Sequence, residues 1–298
     1  MSIDNMQRVG LLLLALAVQE EAKPLPELHS FLAEFRGSLH TDDLLLSDYT
    51  YTEKRTSVQL DSNRKPKKTE ENVYQIFPGT CERPGYRRQV VKNGVTLSEK
   101  ELEKQDQEHQ KEIASGGQRR RRGGPPFGRR TRNCDERLKN EEKILDDLFG
   151  LYDIRIVGRE PIGDDPALLV SFRPGPNYKP QTRQGDVMKH VAGRAWVSED
   201  DHQLVRLDAE VFETVSIGFG ILAKLEKGTH ILSERRKFNN EVWLPARTEL
   251  SFSARLFMLK GFNIQQIVEY SDHKKFTVDT DIPRTRISHE WGVMSCEF

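Results

Sequence analysis

The chain has 298 residues, of which 36% are hydrophobic and 31% charged, enough apolar side chains for one large folded domain or two small ones. Lys plus Arg and Asp plus Glu both number 46, so the net charge indicates no particular partner. The odd number of cysteines excludes a disulfide scaffold with complete internal pairing. A single Cys81–Cys134 bridge and three free thiols both stay open as interpretations.

The first feature along the chain is an apolar run at residues 9–18. It is too short to cross a bilayer, which needs about 20 residues. Ala15-Leu16-Ala17 has the small-x-small pattern that a signal peptidase accepts. We therefore expect residues 1–17 to be a secretory signal peptide and the mature protein to be periplasmic or otherwise exported. The alternative is a buried N-terminal helix.

Three helices are predicted. Apolar residues recur at helical spacing over residues 28–39, and again on one side of residues 135–149. Between them, Ser98 and Glu101 form a capping box that begins a helix running to about Ile113, whose side chains are almost all polar. We expect the two amphipathic helices to pack on the core and the polar one to lie on the surface.

Residues 116–133 are a low-complexity Gly/Pro/Arg segment with seven arginines and no acid. Since the net charge is +0, the rest of the chain carries a formal charge of −7. Such a composition cannot bury a core, so residues 114–134 are predicted to be a flexible insertion. In an exported protein, Arg119, Arg120, Arg121 and Arg122 would contact anionic lipid or lipopolysaccharide phosphates. An insertion without a partner is the alternative, and nucleic acid is not an expected partner because aromatic residues are not interleaved with the arginines.

The other segments predict about nine strands joined by short turns. The candidates are residues 49–58, 73–77, 86–91, 167–172, 191–197, 203–212, 230–237, 246–257 and 264–276. Two of them alternate cleanly, with Val205, Leu207, Ala209 and Val211 on one face of their strand and Leu250, Phe252, Ala254 and Leu256 on one face of theirs. Hairpins this tight leave no room for parallel crossovers. The predicted fold class is α+β, a strongly curved antiparallel β-sheet packed on the two amphipathic helices.

Two short motifs carry a family resemblance. Gly193-Arg194-Ala195-Trp196-Val197-Ser198, followed by a polar turn and residues 204–207, resembles a hairpin of the outer-membrane lipoprotein carrier (LolA/LolB-like) superfamily. Residues 241–246, with Trp-Leu-Pro at their centre, resemble a later strand of the same superfamily. The resemblance implies a half-open barrel closed by helices over an apolar cavity for acyl chains. The resemblance covers residues 49–276. We expect residues 18–280 to form a single domain, with residues 281–298 as a tail. The resemblance assigns no ligand-contacting residue.

The common catalytic motifs are missing from the sequence, including H-E-x-x-H, G-x-S-x-G and the P-loop. Ser198, Asp200 and His202 have the letters of a catalytic triad, but their spacing within one turn indicates turn chemistry. His190 and His202 flank one hairpin and could approach each other, although two histidines rarely hold a metal alone. We therefore expect neither an enzyme nor a metal or cofactor.

The function indicated is non-enzymatic binding of a lipid, a lipoprotein acyl chain or another apolar ligand in the half-barrel cavity. The cavity-lining candidates are Leu207, Val211, Phe219, Leu250, Phe252 and Leu256. The apolar runs at 215–222 and 256–262 could line the mouth of this cavity, although burial in the core is the simpler interpretation. The alternative is an envelope protein–protein interaction or regulatory module without a lipid ligand.

Overall fold

The computed structural model describes residues 23–61, 63–79, 85–114, 134–217, 223–256 and 261–275. The helices in these ranges are α1 (Leu28–Leu46), α2 (Glu99–Ala114), α3 (Cys134–Leu151) and α4 (Arg183–Met188). The strands are β1 (Tyr49–Leu60), β2 (Pro66–Phe77), β3 (Tyr86–Lys92), β4 (Val95–Thr96), β5 (Tyr152–Arg159), β6 (Ala167–Pro174), β7 (Val191–Ser198), β8 (Leu204–Val211), β9 (Val215–Ile217), β10 (Ala223–Leu225), β11 (His230–Phe238), β12 (Val242–Leu256) and β13 (Phe262–Lys275). None of the described helices is both long and apolar enough to span a membrane.

The strands form one antiparallel sheet in the order β4-β3-β2-β1-β13-β12-β11-β8-β7-β6-β5, and the short β9–β10 hairpin adds to the end of β12. The described strands leave the sheet open, with β4 at one edge and β5 at the other. Register shifts interrupt six of the strand pairs, and such bulges increase the local twist of a sheet. The predicted fold class, a curved antiparallel sheet with helices, is confirmed.

The strand β12 is longer than the sequence pattern predicted. The Trp243-Leu244-Pro245 motif and the alternating segment after it belong to a single strand of 15 residues. Pro245 lies opposite Arg235 at a register shift, where the missing N–H of a proline interrupts the ladder least. The short elements β4, β9, β10 and α4 were not predicted, because two to six residues are too few to establish a period.

The main core lies between the two amphipathic helices and one half of the sheet. Phe31 and Phe35 of α1 and Phe149 of α3 pack against β6 and β7, where Leu168 and Val197 are fully buried. This packing confirms the predicted role of both helices. We call the face of the sheet that carries Leu168 and Val197 the helix-side face, and the opposite face the outer face.

Helix α1 runs beyond its predicted end to Leu46. The extra turns bring Leu46 against a second cluster, formed by Tyr49, Val242 and Leu244. These partners come from distant parts of the chain, so tertiary packing rather than local pattern extends the helix.

A buried carboxylate ties α3 to the segment before α4. Asp147 accepts hydrogen bonds from the hydroxyl of Thr182 at 2.5 Å, from the backbone N–H groups of Gln181 and Thr182 at 2.8 Å each, and from the hydroxyl of Tyr178 at 3.1 Å. Burial tends to raise the pKa of the Asp147 carboxyl, but these hydrogen bonds outweigh it and hold the pKa below its usual value. Asp147 is therefore a structural anchor.

Candidate functional site: the helix-side face

The strand registers define which side chains share the helix-side face. Paired residues of antiparallel strands point to the same side of a sheet, so the face can be followed from pair to pair. From β7 to β1, one residue of each strand on this face is paired with the next one in the series Ala195, Leu207, Ser233, Thr248, Val268 and Arg55. The helix-side face thus continues from the helix-covered strands to β1.

The composition of this face changes along the sheet. On β8 and β11–β13 it is mainly apolar, with Leu207, Val211, Ile231, Leu250, Phe252 and Ile264. On β1–β3 it is mainly polar, with Glu53, Arg55, Ser57, Asn72, Arg87 and Gln89. One continuous surface is therefore apolar at one end and polar at the other.

Four of the predicted cavity-lining residues lie together on this face. Val211 is buried, and Leu207, Leu250 and Phe252 are half-buried. Phe219 and the side chain of Leu256 lie outside the described part of the structure, as do Arg119, Arg120, Arg121 and Arg122 of the predicted lipid-contacting run.

The helices cover only part of the face. α1 and α3 pack on β5–β8, and α1 also meets β12. Of the helices in the described ranges, none makes an extended contact with β1, β2 or β13. The apolar stripe on β11–β13 consequently lies between the region that α1 and α3 cover and a polar region that neither of these two helices covers.

The polar region centres on an acid held between two arginines. Glu53 is only 7% exposed, and its Oε1 accepts hydrogen bonds from Nη2 of Arg55 at 2.6 Å and from Nη2 of Arg87 at 2.7 Å. The Arg87 guanidinium also lies over the ring of Tyr74, 3.7 Å from its centroid. We call Glu53, Arg55 and Arg87 the arginine cluster. Two positive charges against one negative charge leave it cationic.

Aromatic side chains border the arginine cluster. The rings of Tyr51 and Tyr270 meet edge to face at 5.8 Å, and His273 lies 5.6 Å from Tyr51. Burial is the main reason that the pKa of Tyr51 rises to about 12, with the neighbouring charge of Glu53 adding to it. Burial also lowers the pKa of His273, so this imidazole is neutral at pH 7. The wall beside the cluster is therefore uncharged at neutral pH.

A separate cleft opens on the outer face. It has a volume of ≈ 360 Å³ and is lined by Asp165, Arg206, Glu234, Lys237 and Trp243 among others. Two of its cations are ion-paired: Lys237 with Asp201 at 2.8 Å, and Arg206 with Glu234 at 3.8 Å. Of the predicted cavity-lining residues whose side chains the structure describes, none lines this cleft.

The tryptophans of the two motifs have structural roles. Trp196 and Trp243 are 3% and 2% exposed, and their indole N–H groups donate to Glu160 and Asp201 at 3.0 and 2.9 Å. Gly193 of the first motif is required by a close approach, because a Cβ atom there would lie 2.2 Å from the backbone oxygen of Asp208. These contacts show that the motifs specify the geometry of the sheet.

The residues that share the types of a catalytic triad, and the two histidines, lie at the ends of β7 and in the turns beside it. Ser198 Oγ accepts from the backbone N–H of Asp201 at 3.2 Å, and His202 pairs with Glu34 of α1 at 2.8 Å. His190 and His202 lie at opposite ends of β7, so the expectation that they could approach each other was wrong. Among the described residues, no group of three or more His, Cys, Asp or Glu is arranged to hold a metal ion.

A curved, open antiparallel sheet with two amphipathic helices packed on one face defines the class of half-barrel folds. The chain is similar to the solved structure of a LolA superfamily protein from Nitrosomonas europaea, at 12% identity and a TM-score of 0.34 over 85% of this chain and 96% of that one. It is also similar to an outer membrane lipoprotein-sorting protein domain from Vibrio parahaemolyticus, at 8% identity and a TM-score of 0.34 over 81% and 92%.

A third similar structure is the complex of MucA and MucB from Pseudomonas aeruginosa, at 9% identity and a TM-score of 0.20 over 82% of this chain and 99% of that one. No family model and no curated protein matches the sequence. The similar structures include a protein of the superfamily that the two sequence motifs resemble.

The sequence pattern did not indicate the arginine cluster. Glu53 and Arg55 lie on a predicted strand, but the alternate residues Lys54 and Thr56 are polar too, so no alternation marked one face as buried. The missing alternation of polar and apolar residues could have indicated a polar site, since a strand that is polar on both faces does not pack on an apolar core. The partner Arg87 comes from another strand and could be found only through the register.

Proposed function

We propose that this protein is an exported, non-enzymatic binding protein that holds a lipid, a lipoprotein acyl chain or another apolar group on the helix-side face. The observation that carries the proposal is the half-buried apolar stripe of Leu207, Leu250 and Phe252, which continues beyond the part of the sheet that α1 and α3 cover. The apolar run and small-x-small motif before residue 18 support export.

Burial of an acyl chain supplies binding free energy without covalent chemistry. Burying one methylene group contributes about 0.8 kcal/mol, so a chain with about ten buried methylenes gains about 8 kcal/mol before the cost of association. That cost is at least about 4 kcal/mol, whereas a micromolar dissociation constant corresponds to a net free energy of about 8 kcal/mol. Micromolar, reversible binding therefore needs about 15 buried methylenes, or fewer together with polar contacts to the end of the chain.

The test is the replacement of Phe252 by Asp. If Phe252 borders open space, the charged side chain can share that space with water, and the variant should fold but lose uptake of a fluorescent fatty-acid analogue. Uptake is measured by titration of the purified protein, and folding by circular dichroism and thermal unfolding. The control is Glu249→Ala, because Glu249 alternates with Leu250 and points to the outer face.

Two outcomes would contradict the proposal. A folded Phe252→Asp variant with wild-type uptake would show that the stripe does not contact the ligand. If Phe252→Asp unfolds, Phe252→Ala tests the same contact, since it leaves a smaller apolar side chain and buries no charge. A wild-type protein that takes up no apolar probe would exclude lipid binding.

A second candidate function is an envelope interaction module. The observation in its favour is the edge of β5 that pairs with no described strand, where Val157 is 58% exposed, since an open strand edge can pair with a strand of another protein. Native mass spectrometry after gentle purification separates the two functions. A carrier retains lipid, whereas an interaction module retains a protein partner.

A further inference from the structure

We propose that the arginine cluster binds the carboxylate of a fatty-acid-like ligand whose acyl chain lies along the apolar stripe. This inference rests on the proposed function and adds the class of ligand, a single-chain amphiphile with an anionic end. Its basis is the placement of Glu53, Arg55 and Arg87 on the same face of the sheet as Leu250 and Phe252.

The distance between the two parts of the site suits one ligand. Arg55 is paired with Val268 on β13, and Val268 with Thr248 on β12, next to Leu250. Adjacent strands are about 4.8 Å apart, so the guanidinium-bearing strand lies about 10 Å from the strand that carries Leu250 and Phe252. A carboxylate at Arg55 therefore places the first methylenes over β13 and the remainder of the chain over β12.

The cluster has binding capacity left for an anion. Its internal hydrogen bonds all end on one oxygen, Oε1 of Glu53, and use Nε and Nη2 of Arg55 and Nη2 of Arg87. Each guanidinium carries further N–H donors, and the two side chains keep 32% and 41% of their surface exposed. Guanidinium N–H groups recognise carboxylates through charge-assisted, often bidentate hydrogen bonds.

Glu53 determines how the two arginines are presented. Without a shared anion, the guanidiniums of Arg55 on β1 and Arg87 on β3, which meet across β2, would repel each other, and Glu53 offsets half of that charge. Stacking on Tyr74 orients the Arg87 plane and leaves its edges available for hydrogen bonds. Glu53 thus holds the donors in place and also competes with a ligand carboxylate for them.

The experiment compares a fluorescent fatty acid with its methyl ester, which has the same chain and no charge. Arg55→Gln and Arg87→Gln should each weaken binding of the acid about 10-fold or more and leave binding of the ester unchanged, because one charge-assisted hydrogen bond accounts for about that factor. The matched control is Arg247→Gln. Arg247 is similarly exposed and ion-paired, to Glu249 at 2.9 Å and Glu269 at 3.6 Å, but on the outer face.

Glu53→Gln should change the affinity for the fatty acid in the opposite direction. Removing the competing carboxylate should tighten binding of the fatty acid several-fold and again leave the ester unaffected. A purely structural role for the cluster would not produce this selectivity, because loss of packing affects both probes alike. Thermal unfolding of each variant checks that the sheet stays intact.

Competition with small anions separates a fatty-acid site from a general anion site. Acetate and inorganic phosphate, at the concentration of the probe, should not displace the fatty acid. If either displaces it completely, or if the arginine variants bind acid and ester as the wild type does, the subsite is wrong while lipid binding stands. If the wild type binds neither probe, the proposed function itself fails.

Discussion

At the β7–β8 turn, Glu199 shows how the fold sets the acidity of a single residue. Its carboxylate accepts two hydrogen bonds from Arg159, at 2.7 and 2.9 Å, and pairs with Lys23 at 2.8 Å. The bond from Arg159 is the main reason that the pKa of Glu199 falls to about 2. Arg159 also donates to the backbone oxygens of Lys23 and Pro24, so it joins the chain before α1 to the sheet.

The Glu199 pair predicts an acid-sensitive contribution to stability. Because the folded pKa of Glu199 lies below the unfolded value of 4.5, the contribution is fully present above pH 4.5 and is lost as the pH falls toward 2. Arg159→Gln should raise the pKa of Glu199 toward 4.5, and its destabilisation should be seen at pH 7 and shrink below pH 4.5. Side-chain NMR titration and urea unfolding at a series of pH values measure both effects.

Arg155→Gln is the control for this prediction, because Arg155 pairs with Asp153 on an exposed part of β5 at 2.7 Å. An exposed pair contributes little to stability, so this variant should unfold as the wild type does at every pH. An unchanged Glu199 titration in Arg159→Gln would disprove the assignment.

At the scale of elements, α2 protects an edge of the sheet. β4 pairs only with Val91 and Lys92 of β3, so at Gln89, which pairs with Tyr74 of β2, no described strand lies on the other side of β3. The side chain of Gln105 in α2 supplies one: its Oε1 accepts from the Gln89 N–H at 3.0 Å, and its Nε2 donates to the Gln89 C=O at 3.0 Å. A polar surface helix thus completes the ladder of an edge strand.

Gln105→Ala should therefore loosen this edge. Loss of the side-chain amide leaves the Gln89 N–H and C=O to water, so the Gln89 amide should exchange with solvent at least about 10-fold faster, as expected for one lost hydrogen bond. Hydrogen exchange by NMR provides the measurement. Gln107→Ala is the matched control, because Gln107 lies on the exposed side of the same helix. Equal exchange rates in the two variants would rule out edge protection by Gln105.

At the scale of the whole molecule, the two halves of the chain are interlocked. The part before residue 115 contributes α1 to the core on β5–β8 and β1 to the middle of the sheet. β1 pairs with β13 along its whole length, from Tyr49↔Lys275 to Leu60↔Asn263. Residues 115–133, which lie outside the described residues, join α2 at the β3 edge to α3 beside β5.

Trypsin cleavage in the arginine-rich segment should consequently leave the protein assembled. The composition of residues 116–133 predicts that the first cuts fall at Arg119–Arg132. The two fragments should elute together in native size-exclusion chromatography, because strand pairing and the α1 core still join them, and should separate in denaturant. Co-elution of the fragments supports the interlocked topology, and their separation without denaturant would contradict it.

Local sequence patterns predicted correctly the features that neighbouring residues determine. The Ser98–Glu101 capping box begins α2 as predicted, with Ser98 Oγ and Glu101 Oε2 at 2.7 Å. The alternation of Leu207, Ala209 and Val211 correctly places these residues on the buried side of β8. A period of two or 3.6 residues reports the environment of one element, which is why fold class and core faces could be read from it.

The amino-acid sequence by itself determined the α+β class, the two core helices and the apolar face of β8 and β12. Only the tertiary structure decided that β1 lies between β2 and β13, and therefore that Arg87 and Arg55 meet at Glu53 on the face that carries Phe252. The physical reason is that periodicity is a property of a single segment, whereas strand order and register depend on the packing of all segments at once.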